Sequence, residues 1–158
     1  GNYAASLRAQ VEAQQKGYAQ VLWLDAVERK YVEEVGTSNI FFVIGDEIIP
    51  PPLSGSILPG ITRDSVLRLA GDMGLKTSER RIAIEEVFQA QAAGTLKEIF
   101  GTGTAAVISP VGELCYREQT IAINGSRAGE IATRLYEELQ ALQRGLREDR
   151  HQWLVPVG

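Results

Sequence analysis

Apolar residues in this chain come in two arrangements, short continuous runs closed by turn residues and stripes spaced three or four apart, and their succession predicts the elements. Residues 2–16 are rich in Ala, Gln, Leu and Glu, place Leu7 and Val11 on one face and meet Gly17, which predicts a helix. Residues 20–25 are an apolar run bounded by polar residues and predict a buried strand, and residues 26–29 have the polarity of a turn. Two more strands follow over 30–35 and 40–44, and Gly45-Asp46 separates the second from Glu47-Ile48-Ile49, as in a meander or hairpin sheet. Pro50-Pro51-Pro52 stops further pairing, because proline has no N–H for a ladder.

In the second half, Leu58-Pro59-Gly60-Ile61-Thr62 opens a helix that carries Val66, Leu67 and Leu69 and ends at Gly71 and Gly74. Residues 75–82 read as extended, and 84–93 as a helix with Val87 and Phe88 that stops at Gly94. Glu98-Ile99-Phe100 predicts a strand running into a turn at Gly101-Thr102-Gly103-Thr104. Residues 105–111 and 114–116 flank a turn at Gly112-Glu113 and predict a second sheet region. Over 128–147, Ile131, Leu135, Leu139 and Leu142 recur at helical spacing, with Glu130, Arg134, Glu137, Glu138 and Arg144 as a solvated face. Periodicity alone therefore gives alternating strands and helices.

Composition narrows the chemistry. With 158 residues, 44% of them hydrophobic, the chain can bury a core. Its formal net charge of −4, with the two signs interspersed, offers no basic stripe to nucleic acid or to an anionic membrane surface. No apolar run approaches the roughly 20 residues that span a bilayer, and the expected compartment is the cytoplasm. Cys115 is the one cysteine and His151 the one histidine, so an internal disulfide and a Cys/His zinc site are excluded and no metal is expected. Cys115 reads as a small strand residue, His151 as a polar residue of the tail, and Trp23 and Trp153 as core or interface residues.

Three stretches could carry chemistry. Gly60-Ile61-Thr62 stands at a helix entrance, where free N–H groups and the dipole favour an anion and the Thr62 hydroxyl adds a donor. Gly101-Thr102-Gly103-Thr104 could offer amides and two hydroxyls to the same or another anion. Taken alone, either reads first as an ordinary glycine-rich connection. Glu34, at a strand end beside Val35, is either a surface charge with Glu33 or a partly buried carboxylate that needs a positive partner, such as a protonated ring nitrogen.

Taken in order, Asn2-Tyr3-Ala4-Ala5-Ser6-Leu7, Glu34-Val35-Gly36-Thr37-Ser38-Asn39, Leu58-Pro59-Gly60-Ile61-Thr62-Arg63 and Glu98-Ile99-Phe100-Gly101-Thr102-Gly103-Thr104-Ala105-Ala106 resemble the large domain of branched-chain aminotransferases, over essentially all 158 residues. These are fold-type IV enzymes that use pyridoxal phosphate. The resemblance implies an α+β fold with a mixed, barrel-like sheet wrapped by helices, in which residues 1–158 form the C-terminal cofactor-binding domain. It also implies that Tyr3 bonds the cofactor's phenolic oxygen, Glu34 pairs with the pyridine nitrogen and Leu58 lies against the ring. Ile61, Thr62 and Thr104 match the phosphate binders, and Thr37 and the Ala105 amide match positions that receive the substrate carboxylate.

In the family the Schiff-base lysine lies just ahead of the Gly-Asn-Tyr motif, which would place it upstream of Gly1, and a small N-terminal domain adds a phosphate-binding arginine. Lys16, Lys30, Lys76 and Lys97 do not match that lysine. The expectation is that this chain alone is inactive. The intact protein is expected to move the amino group of leucine, isoleucine or valine to 2-oxoglutarate, as a homodimer. Other readings are a D-amino-acid aminotransferase, an aminodeoxychorismate lyase, or a non-catalytic module that binds a phosphate ligand or a partner. Some members carry a Cys-x-x-Cys pair after the second Gly/Thr stretch; here Ala106 and Ser109 stand there, so redox regulation through that pair is not expected.

Overall fold

The structure, a computed structural model, describes residues 6–155. Helix α1 (Leu7–Gln15) leads to strands β1 (Leu22–Leu24), β2 (Val32–Val35), β3 (Ser38–Ile44) and β4 (Glu47–Ile49). After the proline loop come α2 (Ile61–Asp72), β5 (Lys76–Thr77), α3 (Ile84–Ala92), β6 (Leu96–Gly103) and β7 (Val107–Pro110). The chain closes with β8 (Glu113–Tyr116), β9 (Gln119–Ala122) and α4 (Glu130–Gln143). The fold is α+β, and its main sheet is mixed: β4 and β5 run parallel, and the other pairs are antiparallel.

β3 is the centre of that sheet. One of its edges is shared by two partners, β2 over the first half (Glu34 opposite Asn39, Val35 opposite Ser38) and β4 over the second (Phe42 opposite Ile49). The other edge pairs with β6 from Asn39 opposite Thr102 to Ile44 opposite Leu96. Ile40-Phe41-Phe42-Val43 is unbroken in apolar character because both faces are covered. Phe41 and Val43 pack with Val66 and Leu69 of α2 and Leu135 and Leu139 of α4, while Ile40 and Phe42 pack with Ile84 and Val87 of α3 and with Leu114 of β8. Phe41 and Phe100, directly paired across the strands, stack with ring centroids 5.1 Å apart.

Two carboxylates fasten this frame chiefly through backbone N–H groups. Asp25 accepts N–H bonds from Tyr31, Lys30 and Glu28, which hold its carboxyl down at about 2 and fix the turn between β1 and β2. Glu98, buried on β6, accepts the N–H groups of Ile131 at 2.8 Å and Ala132 at 2.9 Å. It therefore closes the N-terminus of α4, which has no side-chain cap of its own. Gly129 precedes that helix because a Cβ there would lie 1.8 Å from the Glu98 carboxyl carbon.

The main departures from the periodicity follow from pairing that local sequence does not encode. Gly101 and Gly103 lie inside β6, and the turn is Thr104–Ala106. β7 folds back on β6 in the main sheet, so residues 105–111 and 114–116 do not share one second sheet region; that second sheet is formed by β8 with β9 alone. Residues 75–82 hold only the two-residue β5. The run over 20–25 yields a three-residue, half-buried edge strand, and α1 buries none of its residues, leaving Leu7 and Val11 exposed. His151 is more than a polar tail residue, since its ring meets Asp72 of α2 at 2.7 Å and stacks on Trp153.

Replacing Glu98 with Ala should strip two buried helix-terminal N–H groups of a charged acceptor. Urea unfolding is expected to show a loss of about 2 kcal/mol, with a smaller loss for Glu98→Gln, which keeps one acceptor. An unchanged midpoint for both variants would show that water caps α4 equally well.

Candidate functional site

β3 begins at Ser38 and the register sets Asn39 against Thr102, so the β2–β3 turn (residues 36–37) and the β6–β7 turn (residues 104–106) lie side by side at one end of the sheet. The first turn is tight. Gly36 takes a left-handed φ of 57°, its N–H bonds the Val21 carbonyl, and its own carbonyl receives the Trp23 indole N–H at 2.9 Å. Thr37 is exposed at its tip. In the second turn Thr104 and Ala105 are exposed, and Val107, which ends it, is held at φ 58°, a costly conformation for a β-branched residue.

The start of α2 is brought to this same end. Its first internal bond runs from the Asp64 N–H to the Gly60 carbonyl, and the N–H groups of Ile61, Thr62 and Arg63 lie ahead of it, without a side-chain cap. Gly60 touches Asn39 so closely that a Cβ would stand 2.1 Å from the Asn39 Oδ1. Just upstream, Leu58 is 64% exposed and Ile61 is 86% exposed, an unusual display of two large apolar side chains beside open N–H groups. Arg63 points elsewhere: its buried guanidinium donates to the Pro51 carbonyl and pairs with Glu79, anchoring the proline loop.

Glu34 links the sheet to that helix entrance. Its Oε1 accepts the Leu58 N–H at 3.1 Å and the Asn39 amide at 3.2 Å, and the Asn39 amide also donates to the Leu58 carbonyl at 2.8 Å. Burial pushes the Glu34 carboxyl above the ordinary carboxylate range; the Leu58 N–H opposes that rise and the neighbouring Glu33 charge adds to it. Among the described residues no cation pairs with it. Glu33 instead receives the Ser56 hydroxyl at 2.7 Å, so the two adjacent carboxylates both grip the loop before α2.

Of the residues singled out from the sequence, Glu34, Leu58, Ile61, Thr62, Thr37, Thr104 and Ala105 thus gather at one end of the sheet, while Tyr3 lies outside the described residues. One neighbour, Asn39, has no role from the sequence, and a second, Thr102, reads there only as one of two turn hydroxyls. Asn39 looks like an ordinary strand residue until its register is known. Thr102 is buried opposite it, with a hydroxyl that meets no partner among the described residues. An orphaned hydroxyl, open helix N–H groups and an unpaired carboxylate together fit a bound group that carries an anion at one point and a cationic N–H at another. The four lysines lie elsewhere. Lys16 follows α1, Lys30 sits by the Tyr31 ring, Lys76 pairs with Glu47 at 3.6 Å, and Lys97 is exposed near the start of β6, away from the Thr104 end.

Known proteins resemble this chain in sequence and in fold. The chain is 56% identical over 157 residues to a branched-chain-amino-acid aminotransferase of Bacillus subtilis (strain 168), covering 99% of this chain and 43% of that protein. It is 49% identical to the branched-chain-amino-acid aminotransferase of Mycobacterium tuberculosis, of which it covers 44%. The chain thus spans less than half the length of these curated relatives. Among solved structures, the Escherichia coli branched-chain amino acid aminotransferase superposes with a TM-score of 0.84 at 32% identity, covering 99% of this chain and 48% of that one. The T.th. branched-chain amino acid aminotransferase complexed with N-(5'-phosphopyridoxyl)-L-glutamate gives 0.83 at 35% identity, over 100% of this chain and 49% of that one. The family model for class IV amino-transferases matches residues 1–114, well over half of the sequence, and the chain belongs to that family.

Proposed function

We propose that this chain is the cofactor-binding portion of a pyridoxal-phosphate-dependent branched-chain aminotransferase, which moves the amino group of leucine, isoleucine or valine to 2-oxoglutarate. The observation that carries the reading is the convergence of an unpaired, half-buried carboxylate, an uncapped helix N-terminus and two adjacent turns at one end of the sheet. The phosphopyridoxyl amino acid bound to the T.th. relative has the anion and the ring nitrogen that these features suit. A small N-terminal domain, the Schiff-base lysine and a second subunit would complete the enzyme, and the exposed Leu53, Leu58 and Ile61 suit burial by such parts.

Pyridoxal phosphate, when bound, supplies an electron sink for negative charge that develops at the substrate Cα. The residues of this chain hold and tune it. The N–H groups at the start of α2, through Ile61 and Thr62, donate to the phosphate with the Thr62 hydroxyl, and Thr104 joins them from the β6–β7 turn. Leu58 supplies an apolar surface for one face of the ring. Tyr3 donates to the phenolic oxygen. Glu34 keeps the ring nitrogen protonated, because an ionised carboxylate in a half-buried setting favours a cation beside it. Thr37 and the Ala105 amide offer donors to the substrate carboxylate. Among the described residues, Glu34 stands on the sheet, Thr37 and Thr104 on its turns and Ile61 and Thr62 on the helix packed against it, which fixes their spacing before anything binds.

Titration of the intact protein with pyridoxal phosphate, followed by absorbance, tests this reading. Glu34→Gln is expected to weaken binding at least tenfold, by roughly the strength of one charge-assisted contact. In the wild type, affinity should be full where Glu34 is ionised and fall as pH drops through its raised pKa. The same substitution has the opposite effect on the cofactor-free fold. A carboxyl with a raised folded pKa contributes stability that is present below the ordinary carboxylate range and lost as pH rises through the folded value. Glu34→Gln should therefore raise the melting temperature at neutral pH while weakening the cofactor.

Purified residues 1–158 alone are expected to give no transamination between leucine and 2-oxoglutarate in a coupled glutamate assay, and the intact protein to give it. Turnover by the isolated chain would mean that one of its own lysines serves as the reacting amine. A panel of D-amino acids and aminodeoxychorismate, assayed with the intact protein, separates this substrate class from the others of the fold type.

A further inference from the structure

We infer that Asn39 is a positioning residue for Glu34, holding one oxygen of the carboxylate against the loop before α2 so that the other is left to receive a cationic N–H. The inference rests on the cofactor reading above and adds to it the residue that sets the geometry of the ring-nitrogen partner.

An Asn side-chain amide has two hydrogens, and in Asn39 both are committed, one to Glu34 Oε1 at 3.2 Å and the other to the Leu58 carbonyl at 2.8 Å. The Leu58 N–H returns to the same Oε1 at 3.1 Å. Three elements are tied by this ring of bonds: β2 through Glu34, β3 through Asn39 and the α2 entrance through Leu58. Oε1 is thus doubly occupied, and Oε2 receives no bond among the described residues. A carboxylate restrained in this way presents one oxygen instead of rotating between two.

Asn39 itself cannot wander. It is 6% exposed, it is paired in register with both Glu34 and Thr102, and its Oδ1 rests against Gly60 in the space that a Cβ would fill. Aspartate there would lose both donors and set a second negative charge beside Glu34, and alanine would lose the bridge. Either change removes a hydrogen bond that favours the ionised form of Glu34, so its carboxyl should protonate at higher pH.

The test is a double-mutant cycle in the intact protein, with pyridoxal phosphate affinity measured by fluorescence across pH and the bound absorption band recorded in parallel. Asn39→Ala is expected to weaken binding about tenfold, the lower range for loss of a supporting hydrogen bond at a bound group. It should also move the acid limb of the affinity profile and of the absorption band to higher pH. On a Glu34→Gln background, which has no carboxyl to titrate, the same change should cost less than about twofold and move neither profile. Gly60→Ala leaves both side chains in place but crowds Oδ1, and should reproduce the alkaline shift in smaller measure even if Asn39→Ala folds poorly. An equal loss in both backgrounds, or weakened binding with unmoved pH profiles, would reduce Asn39 to a packing role and overturn the inference. Wild-type protein that binds no pyridoxal phosphate, or binds it equally well after Glu34→Gln, would overturn the reading of Glu34 itself.

Discussion

The alignment of β3 on β6 is the constraint from which the working end of this chain follows. Asn39 opposite Thr102 places the end of one strand against the start of the other, and so puts two turns from distant parts of the sequence next to each other. Because side chains alternate across a sheet, a slip of one residue would turn Asn39 toward α3 and take both its hydrogen bonds away from Glu34 and Leu58. The register is anchored two residues further on by the Phe41–Phe100 stack, buried between α2 and α4. Hydrophobic packing in the middle of the sheet thus fixes polar geometry at its edge.

The two helices on that face make an instructive contrast. Both α2 and α4 are preceded by a glycine in extended conformation, and neither has a side-chain cap from its own sequence. At each glycine a polar side chain from the sheet fills the place of the missing Cβ: Glu98 at Gly129 and Asn39 at Gly60. Glu98 is a carboxylate and consumes the free N–H groups of α4. Asn39 turns its amide toward Glu34 and Leu58 instead, leaving the N–H groups of α2 uncommitted. One helix entrance is closed from within, and the other keeps its N–H groups open, a geometry that suits an anion.

How much of this was legible from residues alone depends on whether the determining contact is local. The helices over 61–72, 84–92 and 130–143 follow apolar periodicity and glycine stops, and β3 follows its unbroken apolar run, so these agree closely with the pattern. The Gly101-Thr102-Gly103 segment does not. Glycines next to threonines read as a turn, yet they are strand positions whose lack of a Cβ makes room for Val35 and Ser38 of the neighbouring strands. The β8–β9 hairpin was hidden for a similar reason, because its two-residue turn is Arg117-Glu118, both at positive φ, without the glycine that would announce it. Glu34, Leu58, Ile61 and Thr62 stood out through family motifs. Asn39 and Thr102 lie in the same motifs but drew no such roles, since what they do depends on partners 19 residues away and across a strand pair.

Glu34 explains why the site cannot be understood as a product of stability alone. Burial raises the free energy of its ionised form, and the chain offers it an N–H, an amide and a like charge, but no cation among the described residues. A glutamine would satisfy the same Leu58 N–H through its carbonyl with no charge to bury. What glutamine cannot do is hold a proton on a neighbouring ring nitrogen. The carboxylate is tolerable because its stability cost is spread over a frame fixed elsewhere, by the aromatic stack, by the Glu98 cap and by the Arg63 anchor of the proline loop. A local conflict supported by surplus order around it is the usual physical mark of a ligand site, and here the conflict has a definite sign: the Leu58 N–H relieves it in part, and a cation, which none of the described residues supplies, would relieve the rest.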